Sequence, residues 1–159
     1  MAKDIGERPN TIPWPPLIYS AALLVAWGLE QVDPFLWLDR QLRLVPEWAG
    51  LGLFGLGVLM DFACFIVLRR HGTTVLPNAP SRNLVTTGPY RWSRNPIYVA
   101  NTVALIGFAL ALRWGWLLFL APVTVAAVNW LAISREEAHL ERRFGQAWRD
   151  YAAKVRRWL

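Results

Sequence analysis

LVTTGPYRWSRNPIYVANTVALIGFALAL, residues 84–112, passes without a break from a polar, arginine-bearing loop into an apolar run. Pro96 stands at the junction, and a proline is well tolerated in the first turn of a helix and not within it. Residues 97–112 carry no charge, and neither do residues 116–133. The two runs predict a helical hairpin that turns at Arg113-Trp114-Gly115. Outward from there, residues 48–68 hold one charge, Asp61, and residues 17–29 are apolar except for Ser20 and Gly28. A bilayer core takes roughly 20 apolar residues per helix. Four spans fit, at about 16–37, 48–68, 97–113 and 115–134. The expected fold is all-α: an integral membrane helical bundle of about four spans with a cytoplasmic amphipathic C-terminal segment.

The 159 residues predict one membrane domain. Its parts are an N-terminal arm with two spans (1–70), a loop (71–96), a hairpin (97–134) and a C-terminal segment (135–159). Hydrophobic residues make up 55% of the chain, and the mean hydropathy is +0.26. The polar start, MAKDIGERPNTIPWPP, does not read as a cleavable signal. Fourteen of the 17 Lys and Arg residues fall on one side of the predicted spans, leaving Arg40, Arg43 and Arg113 on the other. The positive-inside rule therefore places both termini and the 71–96 loop in the cytoplasm, at an inner or plasma membrane. Basic residues facing anionic headgroups account for the pI of 10.2 without nucleic acid as a partner. With one cysteine, Cys64, and two separated histidines, no metal site is expected.

Gly50, Gly52, Gly55 and Gly57 in the second span read as a packing face that lets another helix approach. Glu30 and Asp33 interrupt the end of the first span, and the residues between Asp39 and Glu47 read as a short external loop. Beyond the hairpin, Ile133, Glu137, Leu140 and Phe144 share one helical face. Gly145 ends that helix, and an amphipathic segment from Trp148 to Trp158 follows. Asn101 and Asn129 read most simply as partners across the hairpin. Asp61 is the intramembrane carboxylate that pairs with an arginine or lines a substrate path.

Glu136 and Glu137, taken alone, read either as a solvated helix end paired to Arg135 or Arg142, or as carboxylates that take a cationic ligand or hydroxyls. Arg91 and Arg94 read either as interfacial anchors or as parts of a site. The alternatives narrow when the pieces are joined. G-P-Y-R-x-x-R-N-P-x-Y (88–98), then E-E-x-x-L-x-x-x-F-G-x-x-W-x-x-Y (136–151), then a basic tail ending in Trp-Leu, resembles the isoprenylcysteine carboxyl methyltransferase and phospholipid methyltransferase family. The resemblance covers residues 70–159.

That resemblance implies methyl transfer from S-adenosyl-L-methionine at the cytoplasmic membrane face. The acceptor would be a lipophilic small molecule or prenylated substrate entering from the bilayer, first of all a carboxylate of isoprenoid or isoprenylcysteine type. It further implies cofactor contacts from Gly88, Tyr90, Arg94, Asn95, Pro96, Tyr98, Glu136, Glu137, Tyr151 and Lys154. Glu137 and then Arg94 become the residues whose loss should abolish activity. Carboxylates suit the cofactor's ammonium or ribose, arginine its carboxylate, and aromatic faces its sulfonium and adenine. Two positions depart from the pattern: Asn95 stands where eukaryotic members have His, and Ala100 where Gly commonly follows. Asn is no general base, which favours an acceptor already ionised near neutral pH. Phospholipid, amine or thiol acceptors are alternatives on the same fold. A sterol-reductase-like enzyme using a reduced nicotinamide dinucleotide phosphate, or a non-enzymatic membrane subunit, is the reading from another class.

Overall fold

The computed structural model describes residues 14–33, 36–73 and 83–159. Lys3, Arg8 and the rest of the N-terminal arm, Pro34, and the middle of the long loop with Arg82 lie outside the described residues. Within them the chain is helical and contains no strand. Seven α-helices follow in order: α1 Trp14–Val32, α2 Leu36–Leu42, α3 Glu47–Arg70, α4 Pro96–Leu112, α5 Gly115–Val128, α6 Ser134–Phe144 and α7 Gln146–Lys154. A 3-10 turn, Gly88–Arg91, precedes α4, and a π-helical turn, Asn129–Ile133, joins α5 to α6 into one continuous rod.

Two of the four expected spans are long and apolar enough to cross a bilayer by themselves: α3, and the rod Gly115–Phe144. At 17 residues α4 is about 25 Å long, short of a full hydrocarbon core. The first span is shorter than the expected 16–37, because α1 stops at Val32 and α2 starts as a separate short helix. A polar knot marks its end: Glu30 Oε1 accepts from the Trp116 backbone N–H at 3.0 Å, and the Asp33 carbonyl from the Trp116 indole at 2.7 Å. Asp39, expected in a loop, sits inside α2.

The closest helix pair is α3 with α4. Two of the four glycines of α3 make it possible. A Cβ on Gly57 would lie 2.6 Å from the Ala104 nitrogen and 2.7 Å from the Ala100 carbonyl oxygen. One on Gly50 would strike the Ala111 backbone, and on the α4 side Gly107 faces the Phe54 backbone equally closely. Gly52 and Gly55 face open space. Ala100 is fully buried, and its carbonyl oxygen lies where a Cβ on Gly57 would fall, so the glycine on the facing helix provides the room at this position. The hairpin turns where expected: Arg113 caps α4 in the left-handed region at φ 57° and pairs with Glu47 at 2.7 Å.

Helix α1 packs on α5. Trp14 and Ile18 near its start pack on the cluster of Tyr98, Val128, Ala132 and Ile133, against which Trp158 also packs, whereas its last turn meets Trp116. The start of α1, the end of α3, the start of α4 and all of α6 and α7 therefore gather at one end of the bundle. Much of the outer surface is apolar: Leu51, Leu59 and Phe62 on α3, Leu24 and Trp27 on α1, and Phe119, Val123 and Trp130 on the α5 rod are exposed. Such a surface is costly in water and natural in lipid.

Candidate functional site at the polar end of the bundle

The 83–95 segment is ordered by backbone geometry that its sequence dictates. Gly88 has φ +61°, which opens the turn that Pro89 then tightens, and a Cβ there would also press on Val67 at 2.9 Å. Tyr90 is driven into a buried cluster with Cys64, Leu68 and Val85 against α3. Its carbonyl accepts from the Tyr151 hydroxyl at 2.7 Å, which ties the turn to α7. Burial pushes the Tyr151 phenol up to about 12, against the smaller opposing pull of Arg94. Burial, reinforced by the nearby Cys64 and Glu136, also holds the Tyr90 phenol above its ordinary range.

The extended tail after α7 lies along residues 93–95. The Arg94 N–H donates to the Arg156 carbonyl at 2.9 Å, and the Ser93 hydroxyl and the Asn95 amide both donate to the Arg157 carbonyl at 3.1 Å. Asn95 gives a second, longer hydrogen bond to Glu137 Oε1, at 3.4 Å. An amide with two hydrogens on one nitrogen can bridge a carboxylate and a carbonyl in this way. A neutral imidazole, with one N–H, cannot.

Glu137 is the hub of this junction. Its Oε1 pairs with Arg94 Nη2 at 3.2 Å, and its Oε2 accepts from Arg157 Nη2 at 2.5 Å and Nε at 3.1 Å. Arg157 also reaches Asn129 Oδ1 at 3.4 Å. Arg94 spans the space between α6 and α7, donating to the Ala152 carbonyl at 3.3 Å and lying 5.7 Å from the centre of the Trp148 ring. Both Glu137 oxygens are therefore engaged by the protein's own donors, and its carboxylate is only 11% exposed.

Glu136 points another way. The Tyr98 hydroxyl donates to its Oε2 at 2.9 Å, and among the described residues no Lys or Arg comes within salt-bridge distance. Its side chain closes the polar end of a cavity of about 380 Å³ lined by Pro15, Pro16, Tyr19, Ser20, Tyr98 and Asn101. Tyr19 bridges α1 to α4, its hydroxyl 3.3 Å from both the Tyr98 carbonyl and Thr102 Oγ1. A second cavity, about 320 Å³, continues from Tyr19 and Asn101 towards Phe54 and Phe108. A third, about 430 Å³, lies between α3 and α4 and is reached past Ile97 and Asn101. All three cavities meet Asn101 of α4, and the two that Tyr19 lines form the cleft beside α1.

Of the residues that the resemblance points to, Tyr90, Arg94, Asn95, Tyr98, Glu136, Glu137 and Tyr151 converge on this junction, with Gly88 and Pro96 shaping the chain at its edge. Lys154 is exposed at the end of α7. Asn101 and Asn129 do not pair across the hairpin. Asn101 donates to the Ile97 carbonyl of its own helix at 3.0 Å, and Asn129 holds the tail. Sequence reasoning missed Arg157, Ser93 and Tyr19. Only the basic character of the tail hinted at Arg157, since an extended segment has no helical periodicity to mark its inward residues.

The comparisons agree with this geometry at the level of family. Residues 45–147 match the model of the phospholipid methyltransferase family, and the chain belongs to that family. It is 36% identical over 108 residues to the nickel-cobalt-cadmium resistance protein NccN of Alcaligenes xylosoxydans xylosoxydans, an alignment covering 68% of this chain and 50% of NccN. It is also 35% identical over 68 residues to an uncharacterized protein of Haemophilus influenzae, covering 40% of this chain and 100% of that protein. The match with NccN thus spans half of that relative's length.

Proposed function

We propose that this chain is a membrane methyltransferase that takes its methyl group from S-adenosylmethionine and passes it to a lipophilic acceptor. Helices α1, α3, α4 and the α5 rod cross the membrane together in this reading, with the junction of loop, α6 and tail on the cytoplasmic side. The observation that carries it is Glu136: a carboxylate oriented by the Tyr98 hydroxyl, without a described cationic partner, at the polar end of a cleft.

The residues present fit the cofactor. An unneutralised carboxylate beside tyrosine rings suits a ligand with a sulfonium and an ammonium. When bound, the cofactor supplies an electrophilic methyl group and leaves as a neutral thioether. The chain's task is then alignment and exclusion of water rather than acid–base work. Glu136 holds the cationic part, Tyr98 fixes the carboxylate's direction, and Tyr19 and Asn101 line the passage to the acceptor. We assign Glu137 and Arg94 to positioning. With Asn95 and Arg157 they lock the tail onto the loop, and both also line a separate cavity of about 450 Å³ beside Trp148 and Arg149.

The test is transfer of a labelled methyl group from S-adenosylmethionine into the lipid-extractable fraction of membranes that contain the protein. Label should enter with the wild type and fall at least about ten-fold with Glu136→Gln, the loss expected for one charge-assisted contact. Incorporation equal to that of membranes lacking the chain would refute the reading.

A further inference from the structure

The two cavities beside α1 share Tyr19, Leu23 and Asn101, so they form one continuous cleft that changes character along its length. Glu136 and Tyr98 line its polar end, whereas Leu23, Phe54, Ala104 and Phe108 line the other, towards the opposite membrane face in the proposed arrangement. Asp61 opens onto the separate cavity between α3 and α4 and has no arginine partner among the described residues, which leaves Glu136 as the carboxylate of this cleft. The apolar end is stopped. The Phe54 and Phe108 rings lie 5.8 Å apart, and Phe108 meets Trp114 edge-on at 5.9 Å. Gly107 lets the Phe54 backbone press against α4, which fixes the root of that ring. Just beyond Leu23, Ala26 is fully buried in one cluster with Leu105 and Ala109, so α1 closes onto α4 there. The floor between Tyr98 and Phe108 is ten residues of α4, about 15 Å long. An extended single-bonded chain advances about 1.2 Å per bond, so roughly a dozen carbons fit between head and stop. The apolar cavity, at about 320 Å³, is at the small end for ligand sites and has room for one chain.

We infer that the cleft holds a single extended hydrocarbon chain, with its head at the Glu136 end, and that Phe54 and Phe108 set the length of chain it accepts. A bilayer is as apolar as the cleft, so a chain enters for close packing rather than to leave water. Packing of this kind is sensitive to length. A chain too short leaves the far end loosely filled, and one too long must displace the aromatic stop or lift its head from Glu136. Phe108 is the stronger determinant, because its ring ends the α4 floor and is buttressed by Trp114. As an acceptor site the cleft rests on the methyltransferase reading, whereas the length limit belongs to the cleft itself.

The test is displacement of a fluorescent dodecyl probe from the full chain, purified in a non-ionic detergent. The competitors are octanol, dodecanol and hexadecanol, compared at equal mole fraction in the micelle. Dodecanol should displace the probe at a concentration at least about ten-fold below either of the others. Phe108→Ala should move the preference to hexadecanol, and the milder Phe108→Leu should narrow the gap between the two. Leu59→Ala, on the exposed outer face of α3, should leave the preference with dodecanol. Equal displacement by dodecanol and hexadecanol in the wild type would overturn the inference without recourse to any variant. So would an unmoved preference in monodisperse Phe108→Ala and Phe108→Leu proteins. Binding of S-adenosylmethionine by a protein with no length preference would remove this inference and leave the methyltransferase reading. A preference that follows Phe108 in a protein unable to bind S-adenosylmethionine would do the reverse.

Discussion

Two adjacent carboxylates at the start of α6 have opposite situations, and residue chemistry distinguishes their roles. Glu137 pairs with the half-buried Arg94 and the more exposed Arg157 and accepts from Asn95, so truncating it removes the carboxylate that joins loop, α6 and tail. Losing charge-assisted hydrogen bonds at such a partly exposed junction costs about 1–3 kcal/mol. Glu137→Ala should therefore lower the thermal unfolding midpoint markedly, whereas Glu136→Gln should leave it almost unchanged. Equal midpoints for the two variants would contradict the division of roles. Asn95 offers a finer probe. Asn95→Asp keeps the shape but sets a second carboxylate against Glu137 Oε1 and removes the donor to the Arg157 carbonyl. It should destabilise the protein by about 1–3 kcal/mol, the cost of leaving a buried polar group unsatisfied. A midpoint equal to that of the wild type would show that the 3.4 Å contact carries no weight.

At the scale of elements, the α3–α4 seam and the α7 strap hold the site. Gly57→Val puts atoms into the Ala104 and Ala100 backbone and should cost about 1–3 kcal/mol by overpacking. Gly55→Val, one half-turn away and facing open space, should change stability by no more than about 0.5 kcal/mol. The pair of thermal midpoints checks the seam directly, and equal losses would place it wrongly. Tyr151→Phe removes the hydroxyl that closes α7 onto the 3-10 turn, worth about 1 kcal/mol. Its titration has a defined sign. The phenol is held above its ordinary 10.0, near 12, so the folded state keeps a proton that the unfolded chain loses. That contribution is whole below pH 10.0 and disappears as pH rises towards about 12. Unfolding curves of the variant should accordingly show a smaller alkaline loss than those of the wild type.

For the whole molecule, the hairpin, its turn at Arg113 and the meeting of the motif loop with the glutamate pair were legible in the sequence. Long uncharged runs and turn residues specify such features locally. Which glutamate faces the cleft was not legible. Neighbours on a helix point about 100° apart, and the π turn at Asn129–Ile133 resets the phase of α6 by an amount that no hydrophobic pattern records. The early end of α1 and the inward side of the tail were hidden for a related reason: both depend on sets of long-range hydrogen bonds rather than on periodicity. Crossing of the membrane by α1 and α4 beside α3 and the α5 rod belongs to the proposed arrangement, and its orientation has its own test. With Cys64 buried, a cysteine at Arg43 should react with a membrane-impermeant thiol reagent in intact cells, and one at Lys154 only after lysis. The reverse pattern would invert the assigned sidedness.

The most direct test of the central claim is isothermal titration of S-adenosylmethionine into the detergent-purified, monodisperse chain, wild type beside Glu136→Gln. The account predicts saturable binding by the wild type and at least about ten-fold weaker binding by the variant, the worth of one charge-assisted contact. Absence of binding by folded wild-type protein, or equal affinity in the two, would contradict it.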